Sequence, residues 1–166
     1  MITHFSPDEC QRIIGYTHAN SLTHSSNLFS NSGIDYNYFV IKRDELSQWI
    51  FDKFKDYVDL LYPDNTANLM NEVYLHKYTE GCKFSRHRDD IKYPDQVLNV
   101  GVTLNSSYKG GKFIAYDKNR ELGTNLGEFY HMTADTEHEI LEITNGIRYS
   151  LIQFFTYKEL LKQSAI

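Results

Sequence analysis

Only two cysteines occur in the 166 residues, Cys10 and Cys82, and they share no CxxC spacing. That excludes a disulfide scaffold of the secreted kind, and both thiols read as packing residues rather than redox or zinc groups. No apolar run approaches the length of a bilayer span, and the start, Met1-Ile2-Thr3-His4, shows no basic segment followed by an apolar stretch. The expectation is a chain without signal peptide or membrane span, working in a reduced, cytoplasmic setting. Lys and Arg form no run, and the net charge is −5. Such a chain repels a nucleic-acid backbone, so neither nucleic acid nor membrane is expected as a partner. Internal repeats and low-complexity tracts are missing as well. What remains is ordinary for one globular domain: 41% hydrophobic and 23% charged residues, with 14% aromatics to fill a core.

The chain opens on a helix signal. Ser6 suits an N-cap, Pro7 the first helical position and Glu9 the reciprocal partner of a capping box, with Cys10, Ile13 and Ile14 as the apolar face. From Ala19 to Asn37 the composition turns to Ser, Asn and Gly and reads as a long loop, long enough to fold over a ligand as a lid. A second helix is expected after Asp44, where Leu46, Trp49, Ile50, Phe54, Tyr57, Val58 and Leu61 recur at three- and four-residue steps until Pro63. Beyond residue 70 the pattern changes to short β-rich segments: Glu72–Thr79, Val97–Asn105, Lys112–Asp117, Glu128–Thr133, His138–Thr144 and Arg148–Tyr157. Turn signals such as Gly110-Gly111 and Asn145-Gly146 separate them, which argues for an antiparallel sandwich or barrel. Lys158 to Ile166 read as a short terminal helix or tail.

The last strand carries the first hint of a ligand. Residues 148–155 are mostly apolar on both faces, and Arg148 and Ser150 point the same way. A buried arginine needs an anion, and no nearby carboxylate serves that face. Upstream, His87 and Asp89 project from one side of an extended segment, and His138 begins a later strand. Two imidazoles and a carboxylate on one face of a metal leave adjacent positions free, an arrangement that suits non-haem Fe(II), although affinity order alone does not exclude Zn or Ni. With seven His and 12 Asp in the chain, His-x-Asp also arises by chance. Arg148 changes the weight of the motif: it lies ten residues after His138, across the Asn145-Gly146 turn, on a strand expected to run back beside it. His131 has no carboxylate at matching spacing and reads as structural, and Asp90 points away from His87. His76 shares a strand face with Tyr74 and Tyr78, where a substrate-side role is open.

From Glu72 to Phe155 the sequence resembles the prolyl 4-hydroxylase branch of the Fe(II)/2-oxoglutarate-dependent dioxygenases. The matching pieces are Tyr78-x-x-Gly81, His87-x-Asp89, Leu104-Asn105 followed by Gly110-Gly111, then His138 and Arg148, and Phe5-Ser6-Pro7-Asp8-Glu9-Cys10 is similar to the family's first helix. The resemblance implies an α+β chain, mainly β, with a double-stranded β-helix (jelly-roll) core and the N-terminal helices packed on one sheet. It also implies a single domain over 1–166, helical to about 62, with its core at about 71–157. It implies that His87, Asp89 and His138 hold Fe(II), that Arg148 pairs with the distal carboxylate of 2-oxoglutarate, and that Tyr78 and Ser150 add hydrogen bonds to this co-substrate. Thr103 departs from the pattern, since relatives often carry Tyr there to reach the co-substrate, and a threonine is shorter. The implied reaction consumes O2 and hydroxylates an unactivated C–H bond, C4 of a prolyl residue in a peptide or protein, with succinate and CO2 released and ascorbate (vitamin C) as an accessory reductant. Other readings are a hydroxylase of a free amino acid or other small molecule, a non-catalytic ligand-binding barrel and a zinc hydrolase; the last leaves Arg148 unexplained.

Overall fold

The computed structural model describes residues 4–19, 23–26, 36–63 and 72–156. Two helices, α1 (Pro7–Ala19) and α2 (Gln48–Leu61), accompany twelve strands among these residues: β1 (Thr23–Ser26), β2 (Tyr36–Lys42), β3 (Glu72–Tyr78), β4 (Phe84–His87), β5 (Gln96–Thr103), β6 (Tyr108–Gly110), β7 (Phe113–Ala115), β8 (Arg120–Leu122), β9 (Phe129–Thr133), β10 (His138–Ile140), β11 (Ile143–Gly146) and β12 (Arg148–Thr156). Helix α1 begins as its residues dictate. Glu9 N–H donates to Ser6 Oγ at 3.2 Å, and Ser6 N–H donates to the Glu9 carboxylate at 2.8 Å, so two otherwise unpaired N–H groups satisfy each other's side chains.

Three antiparallel arrangements follow: a six-stranded sheet in the order β1-β2-β3-β12-β5-β9, a four-stranded sheet β4-β10-β7-β8, and the pair β11-β6. The central strands of the large sheet are buried on both faces, which is why β5 and β12 alternate so little in polarity. One face joins Val73, Leu75, Leu98, Val100, Val102, Leu151 and Phe155 to Cys10, Ile13 and Ile14 of α1 and Ile50, Phe51, Phe54 and Val58 of α2 in a single apolar cluster. The opposite face, with side chains one residue out of step, carries the polar and aromatic set. Its register sets Ser150 between His76 and Thr103, Arg148 beside Tyr78, and Gly101 between Ile152 and Tyr130. A second apolar cluster draws on both sheets, with Tyr78, Tyr130 and Met132 from the large one and Phe84, Phe113, Ala115, Leu122 and Ile140 from the small one.

Several expectations need correction. The stretch read as loop from Ala19 to Asn37 contains β1 and the start of β2, paired from Thr23–Phe39 to Ser26–Tyr36. Its Ser- and Asn-rich composition conceals strands that exist because the sheet edge offers them partners. The rest of that proposed lid, residues 20–22 and 27–35, lies outside the described residues, as does the expected tail from Lys158 to Ile166. Helix α2 starts four residues after Asp44, whose carboxylate accepts from the N–H groups of Leu46 and Ser47 in a preceding turn, and this leaves Leu46 72% exposed instead of on the apolar face. The segment His138–Thr144 is two strands, and β12 does not run beside β10. It lies in the other sheet between β3 and β5, because the chain crosses over through β11.

Candidate functional site

The metal-ligand candidates meet through strand pairing. β10 pairs with β4 so that His138 stands directly opposite His87. Asp89 follows just past the end of β4, where the N–H groups of Asp89 and Asp90 both donate to Ala134 O, at 3.1 and 3.2 Å. Asp89 Oδ1 lies 3.3 Å from His87 Nε2 and Oδ2 lies 3.6 Å from His138 Nε2, and one ligand atom from each residue falls within 4.8 Å of the others. His87 Nδ1 lies 2.6 Å from Ser85 O and His138 Nδ1 lies 2.8 Å from Thr136 O. A carbonyl only accepts, so both Nδ1 atoms carry hydrogen and both Nε2 lone pairs face Asp89. Burial holds His138 below the usual imidazole range against the pull of Asp89, which favours the neutral ligand form. Burial opposes the Asp89 charge, but His87, His138 and an Asn99 hydrogen bond outweigh it, and the carboxyl is held below its ordinary range. This donor set fits a divalent first-row metal.

Behind Asp89 stands a chain of amides. Asn99 Nδ2 donates to Asp89 Oδ2, and Gln96 Nε2 donates to Asn99 Oδ1. Asn99 is thus oriented with its donor toward the carboxylate. Asn99→Leu keeps the volume and removes the donor, so metal affinity should fall about tenfold to a hundredfold, as for other partners of metal ligands. Titration of the parent and variant with Mn(II) measures it.

The metal-ligand candidates line a cavity of about 660 Å³ walled by residues of both sheets. Tyr36, Tyr38, Tyr74, Tyr93 and Phe154 form much of its wall, with Lys92 and Asp95 among its charged residues. The Tyr36 ring stacks on Tyr78 at 5.4 Å. Tyr78 is itself buried, and its hydroxyl lies 2.7 Å from His76 Nδ1. Arg148 is among the largest fully buried side chains of the described residues, 1% exposed. Asn105 clamps the chain on either side of it, donating to Ile147 O at 2.7 Å and accepting from Tyr149 N–H at 2.8 Å. This explains the Leu104-Asn105 motif in local terms. The guanidinium lies 5.5 Å from the Tyr78 ring centroid and donates to Ser150 Oγ at 3.3 Å. It forms no ion pair with a carboxylate among the described residues, and its Nε has no hydrogen-bond partner. Burial acts against its charge, but the phenols of Tyr130, Tyr108 and Tyr78 outweigh that and raise its pKa further. An orphaned buried cation of this kind fits a carboxylate-bearing ligand.

Thr103 is buried, and its hydroxyl donates to Gly123 O at 2.8 Å, so it is engaged with the protein. His131 bonds the Tyr57 hydroxyl at 2.8 Å through Nδ1, a structural role. His76 lines the cavity, and burial together with the Arg148 charge pushes its pKa down to about 3. Folded protein therefore keeps His76 neutral while unfolded chain protonates near 6.5. The stability this contributes is complete above that value and is lost as pH falls toward 3, on the order of 4–5 kcal/mol across the window. Urea melts through that range should show the loss, and His76→Asn, which offers Tyr78 an amide at the Nδ1 position, should flatten this part of the curve.

Three groups of cavity residues carry no functional signal in the sequence. Tyr36 and Tyr38 sit on or beside the stretch that reads as loop, Asn99 lies in an apolar strand, and Tyr130 looks like core. The one available clue is alternation, since Asn99 and Gly101 share the strand face of Thr103.

No family model matches the chain, and no curated protein matches it in sequence. Solved structures do match. An oxidoreductase of the 2OG-Fe(II) oxygenase family from Burkholderia pseudomallei superposes with TM-score 0.72 at 16% identity, covering 93% of this chain and 82% of that one. A Pseudomonas putida prolyl-4-hydroxylase gives 0.68 at 14% identity, over 94% of this chain and 90% of its own. A prolyl hydroxylase from Trichoplax adhaerens, in complex with a hypoxia-inducible factor oxygen degradation domain peptide fragment, gives 0.69 at 16% identity, over 94% and 80%. The fold is that of the 2-oxoglutarate–Fe(II) oxygenases. Two of the three are prolyl hydroxylases, so the likeness in fold extends to that branch. No helix among the described residues is long and apolar enough to cross a membrane.

Proposed function

We propose that this chain is an Fe(II)- and 2-oxoglutarate-dependent dioxygenase that hydroxylates an unactivated C–H bond, with C4 of a prolyl residue in a peptide or protein as the preferred target. One observation carries the reading: a two-histidine, one-carboxylate donor set in the same domain as a buried arginine that no carboxylate of the described residues neutralises. Bound in this donor set, ferrous iron with 2-oxoglutarate and dioxygen supplies the oxidising power for hydroxylation, with succinate and CO2 as co-products.

The chain's own residues do the rest. His87, Asp89 and His138 hold the metal, and the Ser85 and Thr136 carbonyls keep both imidazoles in the ligating tautomer. Arg148 receives the distal carboxylate through its planar fork, with Ser150 beside it. Tyr78, aligned by His76, contributes to the co-substrate wall. Much of the cavity wall is aromatic or apolar, which lowers the local dielectric below that of bulk water and strengthens charge interactions at the site. The tyrosine and phenylalanine faces of the cavity suit a pyrrolidine ring on an extended peptide, because flat π-surfaces pack on proline without demanding a backbone donor. The peptide bound by the Trichoplax relative supports the same substrate class.

The test combines two readouts. Anaerobic addition of Fe(II) and 2-oxoglutarate should produce a weak visible charge-transfer band, and aerobic turnover should release succinate. A mass-spectrometric screen of prolyl peptides against free amino acids should then show one added oxygen on the peptides. Absence of the band and of succinate rejects the reading, whereas oxygen gained only by free amino acids rejects the peptide substrate alone.

A further inference from the structure

His76 is a buried imidazole that the metal-ligand set does not use. It stands on β3 with Tyr38 of β2 on one side and Ser150 of β12 on the other, and it lines the cavity. The rings of Tyr36, Tyr38 and Tyr78 meet it at steep angles with centroids at 5.2, 6.3 and 5.7 Å, so packing fixes its orientation. Nδ1 is taken by the Tyr78 hydroxyl at 2.7 Å, and Nε2 has no hydrogen bond among the described residues. A polar nitrogen on a side chain with so little water around it calls for a partner, and the cavity it borders is where one can stand.

The bond to Tyr78 decides what Nε2 offers. Burial and the Arg148 charge keep the imidazole neutral, and burial keeps the phenol protonated. Of the two ways to share one hydrogen, O–H···N is the stronger, because a phenol is the better donor and an unprotonated ring nitrogen the better acceptor. The Tyr78 hydrogen therefore goes to Nδ1, and the imidazole carries its own hydrogen on Nε2. The donor that this pair presents to the cavity is the imidazole N–H, not the phenol O–H. A carboxylate in the site is drawn to the full charge of Arg148, which leaves the neutral N–H for an uncharged acceptor. An amide carbonyl is such an acceptor. Tyr36 and Tyr38, whose rings flank His76, belong to the aromatic wall that suits an extended peptide.

We infer that His76 is a substrate-binding residue whose Nε2–H donates to a main-chain carbonyl of the peptide held against the wall of Tyr36 and Tyr38. The inference rests on the oxygenase reading above and adds a specificity residue to it. The charges of Arg148 and Asp89 both act on the ring, so it stands near the buried cation and near the candidate metal carboxylate. A peptide that brings a C–H bond to the metal passes this point. One polar anchor beside an otherwise aromatic contact fixes how the peptide lies, and so which ring carbon is turned to the metal.

Two substitutions separate the two nitrogens. Asparagine places an amide where Nδ1 stood, so His76→Asn keeps a partner for Tyr78 and removes the cavity donor. Glutamine reaches the position of Nε2, so His76→Gln restores the donor without the bond to Tyr78. Calorimetry on Mn(II)-loaded parent and variant proteins measures binding of 2-oxoglutarate first. With 2-oxoglutarate present it then measures binding of the prolyl peptide that gains oxygen in the screen above, acetylated and amidated so that every main-chain carbonyl is an amide. His76→Asn should bind the peptide about fivefold to a hundredfold more weakly, the range for a buried hydrogen bond whose partner is left unpaired, with 2-oxoglutarate affinity unchanged. His76→Gln should regain most of that loss. Equal peptide affinity in the parent and His76→Asn overturns the role of His76 and leaves the oxygenase reading standing. A His76→Gln protein as weak as His76→Asn also overturns it, since the ring then acts through shape alone. So does a matching loss of 2-oxoglutarate affinity in His76→Asn, since His76 then serves the co-substrate. A parent that binds 2-oxoglutarate and takes no peptide rejects the peptide substrate and this inference together. A parent that binds no 2-oxoglutarate overturns the oxygenase reading as well.

Discussion

His87→Ala is expected to abolish 2-oxoglutarate-dependent succinate release and to weaken metal binding by more than about a hundredfold, beyond the loss seen when only a supporting partner of a ligand is removed. His87 is one of the three candidate donors, and its Nε2 lies 3.3 Å from Asp89 Oδ1, so its removal takes away a proposed ligand and leaves space beside a second. The comparison that gives the result its meaning is His131→Ala. His131 is half-buried and bonded to Tyr57, outside the metal-ligand cluster, so that variant should lose stability and keep metal binding. Mn(II) titration and a succinate assay on both proteins measure the contrast. Decarboxylation by His87→Ala at the parent rate would show that the ligands have been misassigned.

Arg148→Met should separate function from stability by sign. Loss of the guanidinium removes the buried cation proposed to meet the distal carboxylate of the co-substrate, so 2-oxoglutarate binding should weaken on the order of a hundredfold to a thousandfold or more. Folding of the unliganded protein should respond the other way. A charge held 99% out of water with no carboxylate partner among the described residues is costly, and a methionine of similar length fills the space without that cost. Replacement of buried ionic groups by apolar ones is neutral to stabilising by about 1–4 kcal/mol. Arg148→Lys should fall between the two in binding, because it keeps the charge and loses the fork that matches a carboxylate. Urea melts without ligand and calorimetry with 2-oxoglutarate give the two signs. Destabilisation with unchanged binding would make Arg148 a structural residue.

Much of the site is legible along the chain because it is local. Ser6 and Glu9 close a capping box three residues apart. His87-x-Asp89 places two donors within one turn of chain, and Arg148 and Ser150 share a face through simple alternation. The strands β3, β5, β9 and β12 fall where short β-rich segments between turn signals put them. Residues whose roles depend on a distant partner are not legible. Asn99 reads as a polar interruption of an apolar strand until Asp89, ten residues away, is seen to accept its hydrogen bond. Tyr36 reads as loop, with Tyr38 just beyond it, until β3 pairs with β2 and both residues line the cavity. Tyr130 reads as core until it is found beside a buried cation.

The order of residues alone therefore determined which groups are capable of chemistry here: the donor types, the isolated arginine and the strand faces they occupy. Only the tertiary structure decided which of them meet. β12 joins the large sheet instead of lying beside β10, and His138 lands opposite His87 because β10 and β4 find each other across some 50 residues of chain. The physical reason is that side-chain alternation is a local property of the backbone, whereas sheet partners are chosen by non-local hydrogen bonding and by the burial of whole faces, which no short stretch of sequence contains.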